Sequence, residues 1–180
     1  MAKVTLAADW LDACAGCEMS LLDIDERIVP LLEKVQITSS PITDLKHPPK
    51  EGVDVGILTG SVSNTDQEEI AKMMRKRCKI LIAMGDCATF GGICTMRNYF
   101  KTEDVLRRGY LETESTVDGK IPRSPEIATL LDRVKAVCEV VKVDIQLPGC
   151  PPDADAIWFA LTELLAGRIP ALSGENLKYD

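Results

Sequence analysis

Short apolar runs rich in β-branched residues alternate along this chain with longer amphipathic segments. Several of the runs are apolar almost throughout, which is typical of parallel strands that are buried on both faces. Together they predict five β-strands: Lys3–Ala7, Val35–Ser39, Val53–Leu58, Ile80–Met84 and Val143–Leu147. Because helical segments separate the strands, the pattern predicts an α/β fold built on an open, doubly wound parallel sheet.

Two amphipathic segments predict helices in the first half of the chain. Met19–Glu33 carries leucines and isoleucines at mixed helical spacing, and Pro30 is expected to bend this helix. Thr65-Asp-Gln-Glu68 has the form of a capping box. It predicts a helix that ends in the basic cluster Arg75-Lys-Arg77, where cations suit the helix dipole. We interpret that cluster as a solvated helix end.

Two further helices are predicted in the second half. Ser124 and Pro125 supply a capping hydroxyl and a first-turn proline, and they predict a helix with Ile127, Leu130, Leu131 and Val134 on one side. The last helix is expected from about Asp153 to Ala166, with Gly167 as its C-cap. Residues 98–123 are polar without a clear period, so we interpret them as an irregular excursion on one edge of a single domain that spans residues 1–180.

Composition and charge narrow the class of protein. The 180 residues suffice for one domain, and 46% hydrophobic with 27% charged residues is typical of a globular protein. A net charge of -7 argues against a nucleic-acid partner. The longest apolar runs are far short of the roughly 20 residues of a membrane helix, so no membrane span is expected. The first residues lack the pattern of an export signal, which predicts a cytoplasmic protein.

Seven cysteines and a single histidine stand out in a chain expected in a reducing compartment. In open parallel sheets, ligands bind beyond the carboxyl ends of the strands. Cys14 and Cys17 follow the first strand, and Cys87 and Cys150 each lie three residues past the end of a later strand. These four predict one metal site at that edge. The others are expected to pack in the core: Cys78 and Cys138 toward the opposite edge, and Cys94 at a position that the sequence leaves ambiguous.

Thiolate ligands suit either zinc or an iron-sulfur cluster. Structural zinc usually has two close cysteine pairs, whereas here only Cys14 and Cys17 are close, so an iron-sulfur site is favoured. A thioredoxin-like redox pair at these two residues is the third interpretation, and it would leave Cys87 and Cys150 without a purpose. Glycines beside the cysteines predict stiff loops in conformations that other residues resist.

Three motifs around the cysteines resemble those of one known family. They are Trp10-Leu-Asp-Ala-Cys14-Ala-Gly-Cys17-Glu-Met-Ser20-Leu-Leu-Asp23, Gly85-Asp-Cys87-Ala-Thr-Phe-Gly91-Gly92 and Leu147-Pro-Gly-Cys150-Pro-Pro-Asp153. In order and spacing they look like the cluster-binding motifs of nickel-iron hydrogenase small subunits. The short length and the segment Leu22–Lys34 resemble the small subunit of the cytoplasmic, bidirectional NAD(P)-linked enzymes.

The resemblance implies a flavodoxin-like fold with one [4Fe-4S] cluster held by Cys14, Cys17, Cys87 and Cys150. It also implies a non-catalytic subunit that passes electrons between the nickel-iron centre of a large subunit and a diaphorase module. That module would consist of subunits carrying iron-sulfur clusters, FMN and the NAD(P) site. No cysteine follows Cys150, so a second cluster is not expected in this chain.

Two alternatives remain open. The related subunit of respiratory complex I has similar motifs but adjacent cysteines at the first site. The separation of Cys14 and Cys17 therefore favours the hydrogenase over a complex I-like quinone-reducing assembly. The other alternative is a structural-zinc, flavodoxin-like binding module.

The sequence says less about the roles of the other residues near the predicted site. Glu18 and Thr59 lie where this sequence departs from many relatives, so they are predicted only as possible neighbours of the ligands. The segment Gly60–Asn64 precedes a helix and offers hydroxyls and amides to a phosphate, and we hypothesise that FMN binds there. His47 is expected to be a solvated loop residue, and Trp10 to belong either to the core or to an interface.

Overall fold

The computed structural model describes residues 2–174 and Leu177, and the remaining end residues of the predicted domain lie outside this description. A five-stranded parallel sheet has the order β2-β1-β3-β5-β7, and a small antiparallel pair joins β4 to β6. The strands are β1 Val4–Trp10, β2 Val35–Ser39, β3 Val53–Thr59, β4 Val62–Asn64, β5 Cys78–Met84, β6 Leu130–Lys135 and β7 Ile145–Leu147. All five predicted strands are present, and the predicted doubly wound α/β class is confirmed.

Helices cover both faces of the large sheet. They are α1 Gly16–Leu22, α2 Ile28–Lys34, α3 Thr65–Arg77, α4 Asp86–Phe90, α5 Thr102–Tyr110 and α6 Ala154–Leu165. Short 3-10 helices lie at Asp25–Arg27, Gly92–Tyr99 and Val137–Glu139. Within the described residues, none of the helices combines the length and the apolar character that crossing a bilayer requires.

The core has two halves because successive side chains of a strand point to opposite faces. In β5, Ile82 and Met84 belong to the half that packs with α1, α2 and α6. Leu81 and Ala83 of the same strand belong to the half that packs with α3 and α4. Complete burial of such a side chain stabilises the fold by about 1.5–3 kcal/mol. The sheet is therefore held from both sides, as its apolar strands predicted.

The carboxyl ends of four strands lie in one row. Trp10 pairs with Thr59, Thr59 pairs with Met84, and Met84 pairs with Leu147. Each of these residues is the last of its strand. The loops that follow β1, β3, β5 and β7 therefore leave the sheet at the same height, and three of them carry the cysteine motifs.

The predicted helix Met19–Glu33 is wrong as a single element. The chain leaves α1 after Leu22 and turns through Asp25, whose φ of 58° lies in the left-handed region, before α2 begins. Pro30 does not cause this break. It lies in the first turn of α2, where a missing backbone N–H costs no helical hydrogen bond.

The helix predicted from Ser124 is also wrong, because Leu130–Lys135 forms strand β6. Its partner is β4, with Asn64 opposite Leu130. The Asn98 side chain accepts a hydrogen bond from Val134 N at 2.7 Å and donates one to Val134 O at 2.9 Å. These backbone contacts come from distant parts of the chain, so they outweigh the local helical spacing.

Three smaller expectations also change. The capping box of α3 begins at Asn64, one residue earlier than predicted, because the Asn64 side chain accepts a hydrogen bond from Gln67 N at 2.9 Å. The excursion 98–123 contains the regular helix α5. Arg75 is only partly solvated: its Nη1 lies 2.5 Å from Asp144 Oδ2, and its Nη2 donates to the carbonyls of Cys78 and Lys79.

Candidate metal centre

The loop that carries Cys14 and Cys17 is fixed to the loop after β3. Leu11 N donates to Thr59 O at 2.9 Å, and Asp12 and Ser61 exchange two backbone hydrogen bonds at 2.9 and 3.0 Å. Ala15 then adopts a left-handed conformation with φ of 66°, after which α1 begins. Cys17 consequently lies in the first turn of α1.

The loops that carry Cys87 and Cys150 are joined to each other. Asp86 N donates to Gly149 O at 3.0 Å, and Gly149 N donates back to Asp86 Oδ1 at 2.7 Å. The Ser20 hydroxyl of α1 donates to the carbonyl of Pro152, which attaches the first cysteine loop to the last. Hydrogen bonds therefore connect all three cysteine loops to a neighbouring loop at this edge of the sheet.

Glycines make room for the sulfur atoms. A Cβ atom on Gly85, whose φ is +91°, would lie 2.3 Å from Cys17 Sγ. A Cβ atom on Gly92 would lie 2.8 Å from Cys87 Sγ, which is again too close for van der Waals contact. The positive φ values at Gly85 and Gly149 confirm the predicted need for glycine in these turns.

The four predicted ligands share one electrostatic environment. Burial, followed by the charges of Glu18, Cys87, Cys14 and Cys150, raises the pKa of the Cys17 thiol to about 12. Bare thiolates at this edge would repel one another, and bound iron ions would offset that repulsion because a metal ligates the deprotonated sulfur. The donor set and the space left by the glycines therefore fit a cluster with four thiolate ligands.

The geometry differs from a compact single-ion site. Among the side chains that the structure describes, no three His, Cys, Asp or Glu residues come close enough to share one metal ion. Structural zinc needs four ligands that meet at one point, with each sulfur about 2.3 Å from the ion. The described side chains do not form that arrangement.

Two buried carboxylates lie next to the cysteine loops. Glu18 is 8% exposed, and one of its oxygens accepts a hydrogen bond from the Thr59 hydroxyl. Asp9 is 7% exposed, accepts from Trp10 N at 2.9 Å, and has its Oδ2 3.8 Å from His47 Nδ1. Burial raises the pKa of Asp9 above its usual value.

The structure thus brings Thr59 together with Glu18, the residue that directly follows Cys17 in the chain. Sequence reasoning missed Asp9 and its contact with His47, although a charged residue near the end of an apolar strand was a usable signal. His47 is itself mostly exposed, as expected for a loop residue, but one of its ring nitrogens faces the buried Asp9.

The other three cysteines have different positions. Cys78 begins β5 at the opposite edge and is buried, as predicted. Cys94 lies at the ligand edge, where its Sγ is 3.4 Å from Asp12 O and its neighbours include Cys87. Cys138 is exposed and packs beside α4, with its Sγ 3.9 Å from Thr89 O, so its predicted place in the core at the opposite edge is wrong. The error follows from the helix that was predicted ahead of Cys138 where β6 is found.

Part of the segment Gly60–Asn64 makes hydrogen bonds within the chain. The Ser63 hydroxyl donates to Gln67 Oε1 at 2.9 Å, and the Asn64 side chain caps α3. Strand β4 pairs with β6 over the same residues. These contacts occupy groups of Ser63 and Asn64, and FMN binding at this segment stays a prediction.

Large apolar side chains are exposed along the segments that carry the cysteines. Trp10 is 40% exposed, which favours the interface over the core for this residue. The other exposed side chains are Met19 in α1, Phe90 in α4, and Ile93 and Met96 in the following 3-10 helix. Exposed apolar surface of this extent is typical of protein interfaces.

The chain is similar to known proteins over most of its length. The family described as "NADH ubiquinone oxidoreductase, 20 Kd subunit" matches residues 14–164. The NAD-reducing hydrogenase HoxS subunit delta of Cupriavidus necator is 40% identical over 99% of this chain and 86% of its own length. One subunit of the F420-non-reducing hydrogenase of Methanothermobacter thermautotrophicus is 34% identical over 97% of this chain, which spans only 58% of that relative.

A solved structure shows the same architecture. One chain of an NAD+-reducing [NiFe]-hydrogenase in the H2-reduced state superposes with a TM-score of 0.95 at 37% identity. The match covers 99% of this chain and 100% of that chain. The elements that position the cysteine loops are therefore shared over the whole length of that subunit.

Proposed function

Because this chain belongs to the family of the NADH ubiquinone oxidoreductase 20 Kd subunit, we propose that it is the electron-transfer small subunit of a nickel-iron hydrogenase that reduces NAD(P). Family membership confirms the resemblance that the three cysteine motifs predicted. The NAD-reducing hydrogenase subunit at 40% identity favours the hydrogenase over a quinone-reducing assembly.

The proposal assigns one [4Fe-4S] cluster to Cys14, Cys17, Cys87 and Cys150. The observation that supports it is the placement of these cysteines on three loops that leave one row of strand ends and are hydrogen-bonded to neighbouring loops there. When bound, the cluster would supply reversible one-electron transfer. The residues of this chain hold it, because hydrogen bonds join the loops and glycines leave space for the sulfur atoms. The partial burial of Cys17 also limits the access of water, which is one determinant of cluster potential.

The partners follow from the same proposal. A large subunit that holds the nickel-iron centre would cover the exposed apolar side chains around the cysteines, among them Trp10, Met19 and Ile93. Diaphorase subunits with iron-sulfur clusters, FMN and the NAD(P) site would exchange electrons with it. The chain is a non-catalytic component of this enzyme. A cytoplasmic location is also proposed, and it is supported by the seven free thiols, which are typical of a reducing compartment.

The test is a metal analysis of the anaerobically purified complex. We expect about four iron and four sulfide per chain, an EPR signal after reduction, and a co-purifying large subunit. Cys87→Ser should remove the cluster and disrupt assembly, whereas Cys78→Ser, at the opposite edge, should leave both intact. One zinc without sulfide would contradict the proposal and favour the binding module. Equal effects of the two variants would contradict the assignment of the ligands.

A further inference from the structure

Glu18 is a buried carboxylate held beside a proposed cluster ligand. It follows Cys17 directly in the first turn of α1 and is 8% exposed. One of its oxygens accepts a hydrogen bond from the hydroxyl of Thr59. Thr59 is 1% exposed and is the last residue of the central strand β3. The bond therefore fixes the Glu18 side chain toward the strand ends and prevents it from rotating into solvent.

The second oxygen of Glu18 is left without a partner. Oε2 is buried and receives no hydrogen bond from any described residue. An unpartnered buried carboxylate oxygen has a large effect on its surroundings, because little water or protein dipole screens it. Glu18 directly follows Cys17 in the first turn of α1, so Cys17 is the proposed ligand nearest to it along the chain.

We propose that Glu18, oriented by Thr59, lowers the reduction potential of the cluster held by Cys14, Cys17, Cys87 and Cys150. This inference rests on the proposed function. Reduction adds one negative charge to the cluster, and a buried negative charge nearby makes that addition less favourable. Thr59 is a positioning residue, because it acts through the carboxylate that its hydroxyl holds.

Potentiometric titration of the purified complex, followed by the EPR signal of the reduced cluster, measures this effect. Glu18→Gln keeps the shape of the side chain and removes its charge, so we expect an upward shift of the midpoint potential. Thr59→Val keeps the volume but removes the hydroxyl, so we expect a smaller shift in the same direction. Thr59→Ser restores the hydroxyl and should return the potential to that of the unmodified protein. If Glu18→Gln does not retain iron and sulfide, the two Thr59 variants supply the measurement.

Asp9→Asn is the matched control. Asp9 is an equally buried carboxylate near the same edge, but the charged groups that act on it are His47 and Glu18. Its replacement should shift the midpoint potential less than Glu18→Gln does. A Glu18→Gln protein with full iron and sulfide and an unchanged potential would overturn the inference, as would an equal shift in Asp9→Asn. Absence of a cluster from the unmodified complex would instead overturn the proposed function.

Discussion

Gly85→Ala tests whether the space that Gly85 leaves beside Cys17 Sγ is needed to bind the proposed cluster. The added Cβ would lie 2.3 Å from Cys17 Sγ, and the backbone of Gly85 has φ of +91°. Contact between non-bonded heavy atoms requires about 3.5 Å or more. Cys17 Sγ, the new methyl group or the loop must therefore move by about 1.2 Å or more to relieve this overlap.

That displacement is large on the scale of metal coordination. Ligand distances in metal sites stay within about 0.2 Å of their preferred values. The left-handed backbone adds strain of about 1–3 kcal/mol for a residue with a side chain. We therefore expect Gly85→Ala to lose most of its iron and sulfide, measured per chain after anaerobic purification.

Gly56→Ala is the matched control for this loss. Its Cβ would also lie 2.3 Å from a cysteine sulfur, that of Cys78, but at the opposite edge of the sheet. It should lower the denaturation midpoint and retain the iron and sulfide of the folded protein. Full iron content in Gly85→Ala, or equal losses of iron in the two variants, would refute the claim that the space beside Gly85 is needed for the cluster.

Three further changes test the fold, each by urea denaturation of the purified chain. Ile57→Ala, at a fully buried core position, should lower the free energy of unfolding by about 2–5 kcal/mol. A change below about 1 kcal/mol would contradict its place in the core. Arg75→Met should lower it by about 1.5–3 kcal/mol, because Asp144 and several carbonyls lose a charged donor. An unchanged free energy of unfolding would support the original interpretation of Arg75 as a solvated residue. A hydrogen bond from Lys79 is the main reason that the pKa of Asp54 is lowered from 3.8 to about 2. The ionised Asp54 therefore adds its full contribution to the free energy of unfolding above pH 3.8, and this contribution is lost as the pH falls toward 2. Asp54→Asn should reduce the loss of stability between pH 3.8 and 2, and an unchanged dependence of stability on pH would contradict this role of Asp54.

The sheet and the edge at which Cys14, Cys17, Cys87 and Cys150 lie could be predicted from the sequence because both depend on local signals. Apolar runs identified the five strands, and parallel strands bring their carboxyl ends to one edge, so Cys14, Cys87 and Cys150 could be assigned to that edge. Glycines beside the cysteines also indicated where the backbone takes a positive φ.

The errors lie where distant contacts decide the local structure. Ile127, Leu130 and Val134 have helical spacing, yet Leu130–Lys135 is a strand because β4 and Asn98 supply hydrogen-bond partners from elsewhere in the chain. Asp25 breaks the first helix in a left-handed conformation that is uncommon for residues other than glycine, so the apolar pattern alone did not indicate it. The contact between Asp9 and His47 likewise depends on the path of a loop that has no periodic pattern.

The single row of strand ends also has a consequence for the order of biogenesis. Cys14 and Cys150 lie far apart in the sequence, and their loops reach the same edge of the sheet only after β7 has joined β5. Parallel pairing between distant segments is slow, because loop closure must precede the contacts that stabilise it. If these cysteines hold the proposed cluster, a nascent chain would have no complete site for an iron-sulfur donor, and insertion of the cluster would follow completion of the sheet.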